Sequence, residues 1–226
     1  MKKHVKFYIA RHGQTEYNIE RRAQGWSDSP LTDYGREIAR RLGCGLRDIK
    51  FDYVYSSSSG RASDTAKIVL ESIGVDLPIS IDDNLKERGL GKLEGRMLSG
   101  GSLGIAREAA TTAGYEGKLD LRVLADSYES VMALGEPSLD KPYGTENFDA
   151  LVIRLKKALD DIYINAKNGE SNVLVVSHGF SILAMIYALT GDKYAEGFVD
   201  NASITLIENI DGVYYVRKVN DTSYIL

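Results

Sequence analysis

The chain of 226 residues contains little cysteine, proline or histidine, and it has no long apolar run. Its single cysteine, Cys44, cannot form an intrachain disulfide. No segment approaches the ~20 apolar residues that a membrane span needs. The short apolar stretch after the charged N-terminus is too short for the core of a secretory signal. We therefore expect a cytoplasmic protein without a membrane partner.

The chain also lacks an excess of basic residues. It has 28 lysines and arginines against 32 aspartates and glutamates, which gives a net charge of −4. This balance argues against a nucleic-acid binder that relies on bulk charge. A local cluster of arginines could still bind a small anionic substrate. The length and the 43% hydrophobic content fit a single domain with a sizeable core.

Strand-like and helix-like segments alternate along the chain. Apolar segments at about 6–10, 51–55, 77–81 and 173–176 predict strands, and amphipathic segments at about 35–46 and 147–166 predict helices. The order predicts a three-layer α/β/α fold with a mostly parallel, mixed sheet. A predicted hairpin at 202–219 leaves an edge that could pair in a homodimer, as it would in many monomers. Residues from about 96 to 145 are weakly periodic, and we expect them to form a partly helical lid inserted in one domain, 1–226.

Two of the three histidines lie between an apolar strand and a glycine. The sequence VKFYIARHG at 5–13 contains Arg11 and His12, and VLVVSHG at 173–179 contains His178. Ligands bind outside the carboxyl ends of strands in open α/β sheets, so the two segments predict one shared site. Each motif alone is weak, because Arg-His-Gly is common by chance and a lone buried histidine is usually structural.

Arg61 and Glu87 extend these motifs to a set that suits phosphoryl transfer. Arg61 follows the second predicted strand, and Glu87 lies in a charged loop after the third. An imidazole can attack phosphorus to form a phosphohistidine, and arginines can stabilise the phosphoryl oxygens without a metal. A carboxylic acid can protonate the leaving oxygen and later accept a proton from water. Either residue alone would more often be an exposed surface charge.

The combined motifs resemble the histidine phosphatase superfamily, the phosphoglycerate-mutase-like family. The resemblance covers nearly the whole chain outside the expected lid. It depends on RHGQTE at 11–16 with Asn18, QG at 24–25 with DSPLT at 28–32, YSS at 55–57 with RA at 61–62, ERGLGKLEG at 87–95, and VVSHG at 175–179.

This resemblance implies a role for each matching residue. His12 would be the phosphorylated nucleophile, Glu87 the proton donor, and His178 a phosphate-binding imidazolium. The other phosphate-binding residues implied by the resemblance are Arg11, Asn18, Gln24, Gly25, Arg61 and Gly179. It implies no metal and no other cofactor, and the expected partner is a small phosphorylated substrate.

Two activities of this superfamily have to be distinguished. Cofactor-dependent phosphoglycerate mutases typically have a tyrosine and a lysine where this chain has Leu90 and Leu98, and an adjacent arginine pair in the lid that 96–145 lacks. These differences favour a metal-independent phosphomonoester hydrolase over the mutase. A non-catalytic module that binds phosphorylated ligands is a third alternative, disfavoured because nucleophile, acid and phosphate-binding residues are all present.

Overall fold

A computed structural model describes residues 2–97, 122, 144–191 and 199–226. In that part of the chain a six-stranded mixed sheet has the order β3-β2-β4-β1-β5-β6. The neighbouring strands β3, β2, β4 and β1 pair in parallel, and the β5–β6 hairpin adds to β1 in antiparallel fashion. The strands are β1 (Lys3–Arg11), β2 (Tyr53–Ser57), β3 (Ile79–Asp82), β4 (Gly169–Ser177), β5 (Ile204–Ile210) and β6 (Val213–Asp221). The predicted mostly parallel, mixed sheet is confirmed.

Five α-helices connect these strands within the described residues. They are α1 (Glu16–Glu20), α2 (Asp33–Gly45), α3 (Gly60–Ile73), α4 (Phe148–Asn165) and α5 (Gly179–Thr190). Two 3₁₀ turns, Asp83–Leu85 and Gly91–Leu93, flank the loop that carries Glu87. Helix α1 was not expected in its polar segment. A capping box between Thr15 and Asn18 starts it, and none of its own residues is buried.

The residues of β4 alternate between two apolar clusters. Val173 and Val175 pack with α4 and α5 on one face of the sheet. Leu174 and Val176 pack with α2 and α3 on the other. A strand covered on both faces needs apolar residues at successive positions, which explains the continuous apolar run in the sequence. The three-layer arrangement is therefore confirmed.

The register of the sheet determines where the functional site lies. Arg11 at the end of β1 pairs with Ser177 at the end of β4. On the other side of β4, Ser56 of β2 pairs with Val176. The residues that follow these three strand ends therefore meet at one edge of the sheet, and they include both motif histidines.

The lid expected at about 96–145 falls almost wholly outside the described residues, as does Leu98. The arrangement of one domain with an inserted lid stays a prediction. Among the residues that the structure describes, no helix combines the length and the apolar character needed to cross a bilayer.

Candidate active site

His12 follows the last residue of β1 and is 4% exposed. Its Nδ1 lies 2.8 Å from the carbonyl oxygen of Gly13. A carbonyl can only accept, so Nδ1 carries the hydrogen and Nε2 keeps its lone pair. Burial lowers the pKa of His12 well below its ordinary 6.5, and the charges of Arg61 and Arg11 lower it further. The imidazole is therefore neutral at pH 7, with Nε2 as its basic nitrogen.

Arg61 lies in the first turn of α3, and its guanidinium is buried against His12. Its Nε donates to His12 Nε2 over 3.3 Å. Its terminal nitrogens donate to the carbonyls of Gly25 and Ser27, each over 2.8 Å, and to Asp28 over 2.9 Å. Burial lowers the pKa of Arg61, and the bond to Asp28 opposes that change. The loop 25–28 thus holds this cation beside the nucleophile.

His178 is fully buried, and its ring lies close to that of His12. The two ring centroids are 5.2 Å apart, with an interplanar angle of 61°. Nε2 of His178 lies 2.8 Å from the Ser57 hydroxyl at the end of β2. Nδ1 is buried and has no hydrogen-bond partner among the described residues. This pairing with Ser57 leaves one ring nitrogen available for a ligand.

The protonation state of His178 depends on whether an anion is bound. Burial lowers its pKa well below 6.5, and Arg61, His12 and Arg11 lower it further. In the ligand-free site the ring is therefore neutral at pH 7. Proximity to a bound phosphate dianion would favour the protonated ring, because an opposite charge stabilises it.

Arg11, the last residue of β1, brings a second buried guanidinium to the site. One terminal nitrogen donates to the carbonyl of Val199 over 2.6 Å. Its buried Nε has no partner among the described residues. A Cβ at Gly179 would lie 3.4 Å from this Nε, so the glycine lets the guanidinium approach the first turn of α5 closely. Burial lowers the pKa of Arg11.

The Glu87 carboxylate lies at the N-terminal end of α5. Oε2 accepts the N–H of Phe180 over 3.0 Å. Oε1 accepts the N–H of Ser181 over 3.0 Å and that of Arg88 over 2.9 Å, and it lies 2.9 Å from the Ser181 hydroxyl. The helix that begins after His178 therefore also positions the carboxylate, and its dipole favours negative charge there.

Asn18, Gln24 and Gly25 belong to the loops that surround His12 and Arg61. Asn18 lies close to His12 through Asn201, whose amide donates to the His12 carbonyl over 2.9 Å and to Asn18 Oδ1 over 3.4 Å. The amide of Gln24 joins Thr15 to Ser29. The Gly25 N–H donates to Glu94 and its carbonyl accepts from Arg61. Gln24 and Gly25 thus shape the loop, and their direct contact with phosphate stays a prediction.

Glu94 organises this loop, a contribution that sequence reasoning missed. Its carboxylate accepts the N–H groups of Gly25, Trp26, Ser27 and Leu90, together with the Ser27 hydroxyl. Burial by itself would raise the pKa of Glu94, but these hydrogen bonds together lower it. Backbone donors leave no mark in a sequence, so only the LEG motif at 93–95 could have drawn attention to this residue.

Arg154 organises the Glu87 loop and was also missed. Its five N–H groups donate to the carbonyls of Asn84, Lys86 and Glu87 and to both oxygens of Glu146. Glu146 also accepts the N–H of Gly89 over 3.2 Å. Arg154 points inward from α4, in a segment whose sequence shows only ordinary amphipathic spacing.

Taken together, the site is a buried cluster of polar groups around a neutral imidazole. In the part of the chain that the structure describes, the guanidinium groups of Arg11 and Arg61 and an unpaired ring nitrogen of His178 lie near His12, and the Glu87 carboxylate lies at the start of α5. Such an arrangement suits an anion that can accept several hydrogen bonds. Within the described residues, no three His, Cys, Asp or Glu side chains are grouped to hold a metal ion.

Known proteins resemble this chain over nearly its whole length. A phosphoglycerate mutase of Bacillus anthracis has a solved structure that matches with a TM-score of 0.85 at 36% identity, covering 99% of this chain and 96% of that one. A probable phosphoglycerate mutase of Enterobacter sp. (strain 638) is 32% identical over 85% of this chain and 78% of its own length. A broad-specificity phosphatase of Saccharomyces cerevisiae is 29% identical over 98% and 87%.

The family model of the histidine phosphatase superfamily (branch 1) matches residues 7–100 and 113–222. These two segments contain all the motifs at the strand ends, from Arg11 to Gly179. The model covers far more than half of the chain, and the fold matches that of phosphoglycerate-mutase-like structures. The chain is therefore an enzyme that belongs to the histidine phosphatase superfamily.

Proposed function

We propose that this enzyme hydrolyses a small phosphorylated metabolite through a phosphohistidine intermediate and needs no metal. One observation carries the proposal. Among the described residues, Arg11 Nε and His178 Nδ1 are buried without hydrogen-bond partners, and the His178 ring centroid lies 5.2 Å from that of His12. Buried polar atoms are normally hydrogen-bonded, so such a pair beside a nucleophile suits a polar ligand. A phosphoryl group supplies both the electrophile and the acceptor oxygens.

In the first step, His12 Nε2 attacks phosphorus and the bond to the leaving oxygen breaks. Arg11, Arg61 and His178 hold the phosphoryl oxygens, with support from the Gly179 N–H and the Asn18 amide. Glu87 donates a proton to the leaving oxygen and becomes a carboxylate. The N–H groups at the start of α5 stabilise the charge that forms on it.

In the second step, water attacks the phosphohistidine. The Glu87 carboxylate takes a proton from that water as the new P–O bond forms. The P–N bond breaks, and its electron pair returns to Nε2. Inorganic phosphate leaves, and both His12 and Glu87 recover their starting protonation states.

An apolar residue at a position where the mutases have a polar one favours hydrolysis over isomerisation. Leu90 occupies the tyrosine position of the mutase-like loop, and it is buried in the core cluster under α4 and α5. Arg88, which the mutase pattern also has, is 4% exposed and donates to the carbonyl of Glu146. The Leu90 side chain therefore serves the packing of the loop, whereas Arg88 is a feature shared with the mutases. A mutase needs further groups to hold a bisphosphate while it reorients.

Phosphoglycerate mutase is the second candidate. The observation in its favour is the name of two relatives, at 36% and 32% identity. Fold and family do not determine the reaction, so the two candidates must be separated by product analysis.

One assay separates the two candidates. The protein is incubated with 3-phosphoglycerate plus 2,3-bisphosphoglycerate, and separately with sugar phosphates, nucleotides and phosphorylated amino acids. Release of inorganic phosphate, unaffected by a chelator, is expected from at least one compound. Isomerisation without release would identify the mutase instead. Activity that is lost with chelator and restored by Mg²⁺ would contradict the proposed chemistry.

The intermediate itself provides a second test. After a rapid quench under alkaline conditions, mass spectrometry of the wild-type protein should locate one phosphoryl group on the peptide that contains His12. His12→Ala should neither turn over substrate nor carry the label, while its circular dichroism matches wild type. Comparable turnover in that variant would remove His12 from its role.

A further inference from the structure

We infer that Ser181 is a positioning residue for Glu87 and that it determines which carboxylate oxygen carries the catalytic proton. The inference depends on the proposed function, in which Glu87 is the proton donor. Ser181 lies in the first turn of α5 and is fully buried. Its hydroxyl contacts the acid and makes no contact with the nucleophile.

The Ser181 hydroxyl has two acceptors and only one hydrogen. Its Oγ lies 2.9 Å from Glu87 Oε1 and 2.9 Å from the carbonyl of Lys86. That carbonyl already accepts a hydrogen bond from Arg154 over 2.7 Å. A carboxylate is the stronger acceptor, so the hydroxyl hydrogen goes to Oε1 when Glu87 is ionised.

The two oxygens of Glu87 consequently have different surroundings. Oε1 faces three donors, which are the Arg88 N–H, the Ser181 N–H and the Ser181 hydroxyl. Among the described residues, Oε2 faces one donor, the Phe180 N–H. A proton on Oε1 would compete with three hydrogens for the same lone pairs. The acid therefore carries its proton on Oε2, and Oε1 anchors the group.

This asymmetry has a direct effect on the first chemical step. As the His12 Nε2–P bond forms and the P–O bond breaks, the proton moves from Oε2 to the leaving oxygen and its electron pair stays on the carboxylate. The donors on Oε1 stabilise the charge that develops. The Ser181 hydroxyl thus assists proton transfer from Glu87, and its effect is largest for substrates with a strongly basic leaving oxygen.

The test compares two substrates that differ in this need. p-Nitrophenyl phosphate releases a stable anion, whereas glycerol 2-phosphate releases an alkoxide that must be protonated. For Ser181→Ala we expect kcat/KM to fall about 10-fold on glycerol 2-phosphate and by less than about 2-fold on p-nitrophenyl phosphate. The roughly 10-fold loss is a fraction of the rate enhancement that general acid catalysis supplies. If Ser181→Ala proves unfolded by circular dichroism, Ser181→Cys gives the same comparison, because the thiol has a similar shape and is a weaker donor.

Ser177→Ala is the matched control. The Ser177 hydroxyl is equally buried and donates over 2.8 Å to the carbonyl of Leu85, in the same loop, but it does not contact the carboxylate. Any loosening of the loop in this variant should change both substrates by the same factor. An equal loss on both substrates in Ser181→Ala, or no loss on either, would overturn the inference.

Glu87→Gln separates a failure of this inference from a failure of the proposed function. If Glu87→Gln loses far more activity on glycerol 2-phosphate than on p-nitrophenyl phosphate, the donor is Glu87, and the result for Ser181→Ala alone decides the inference. If Glu87→Gln affects both substrates equally, the proposed donor is wrong and the role of Ser181 falls with it.

Discussion

The Nε–H of Arg61 donates a hydrogen bond to Nε2 of His12 across 3.3 Å. The lone pair that would attack phosphorus is thus occupied by a cation whose other nitrogens are fixed by Gly25, Ser27 and Asp28. A phosphoryl group must take over this hydrogen bond on one of its oxygens. Substrate binding would therefore free the lone pair of His12 Nε2 and, at the same time, bring a negative charge to the Arg61 guanidinium.

This relationship predicts that lysine cannot replace Arg61. A lysine supplies one charge but lacks the planar fork that reaches the loop carbonyls and the nucleophile together. Arg61→Lys should lower kcat/KM on an active substrate about 100-fold, in line with the loss of a transition-state donor. Arg40→Lys, on an exposed arginine that pairs with Glu37 on α2, is the matched control and should leave the rate unchanged. A change below about 3-fold in Arg61→Lys would contradict this role.

The second prediction concerns Glu94. Glu94→Gln places an amide N–H₂ beside backbone N–H groups that need an acceptor, so the loop 25–28 should become less ordered. The loop carbonyls that accept hydrogen bonds from Arg61 would then no longer be held in place. We expect a loss of about 1–3 kcal/mol in the free energy of unfolding, measured in urea, since the lost bonds involve a charged acceptor. We also expect a fall in kcat of about 10-fold with KM changed less, because the loop positions a group that stabilises the transition state. A destabilised variant with wild-type kcat would contradict a role of the loop 25–28 in catalysis.

The third prediction concerns the Arg154–Glu146 pair, whose side chains are 16% and 12% exposed. Removing one partner leaves the other charge largely buried and unpaired. Arg154→Met should cost about 3 kcal/mol of unfolding free energy, and Glu146→Gln somewhat less. In the double variant the costs should be far from additive, with a coupling of at least about 1 kcal/mol. Additive costs would mean that the two residues act independently.

The fourth prediction follows from the lowered pKa values of His12 and His178. In the unfolded chain both rings would become protonated near pH 6.5, whereas in the native protein they become protonated only at a much lower pH. Below pH 6.5 the unfolded state therefore binds more protons, and stability falls as the pH falls, until the native pKa values are reached. The limiting slope is about 1.4 kcal/mol per pH unit for each ring.

Urea unfolding at pH 7.5 and 5.5 measures this loss, at a pH where most carboxylates remain ionised. His178→Asn should remove about half of it. Inorganic phosphate should reduce the loss in wild type, because the bound anion favours protonated rings and stabilises the native state. An equal pH dependence in wild type and His178→Asn would show that the loss comes from other groups.

The sequence was sufficient for the features that depend on periodicity. The apolar segments ending at Ala10 and Val176 predicted strands, and the structure has β1 and β4 at these positions. Thr32 is the N-cap of α2, and its hydroxyl accepts the Gly35 N–H over 2.9 Å. Such features are local, so a single segment contains the information for them.

The features that sequence reasoning missed depend on distances across the fold. Arg154 reaches three carbonyls of a loop far away in the chain, and nothing in the spacing of α4 distinguishes it from a surface arginine. The lowered pKa of His178 in the ligand-free site likewise depends on burial and on two arginines from other elements, which its own segment does not reveal. The roles of the site residues stay predictions until variants are measured.

The pairing of β1 with β4 joins the first strand of the chain to one that forms only after most of the chain has been made. The two histidines cannot meet until this long-range pairing exists, and closing so large a loop slows folding. A partly folded chain with β1 alone would therefore have a histidine with no second histidine beside it. In a refolding experiment, the return of enzymatic activity should therefore report when β1 and β4 have paired.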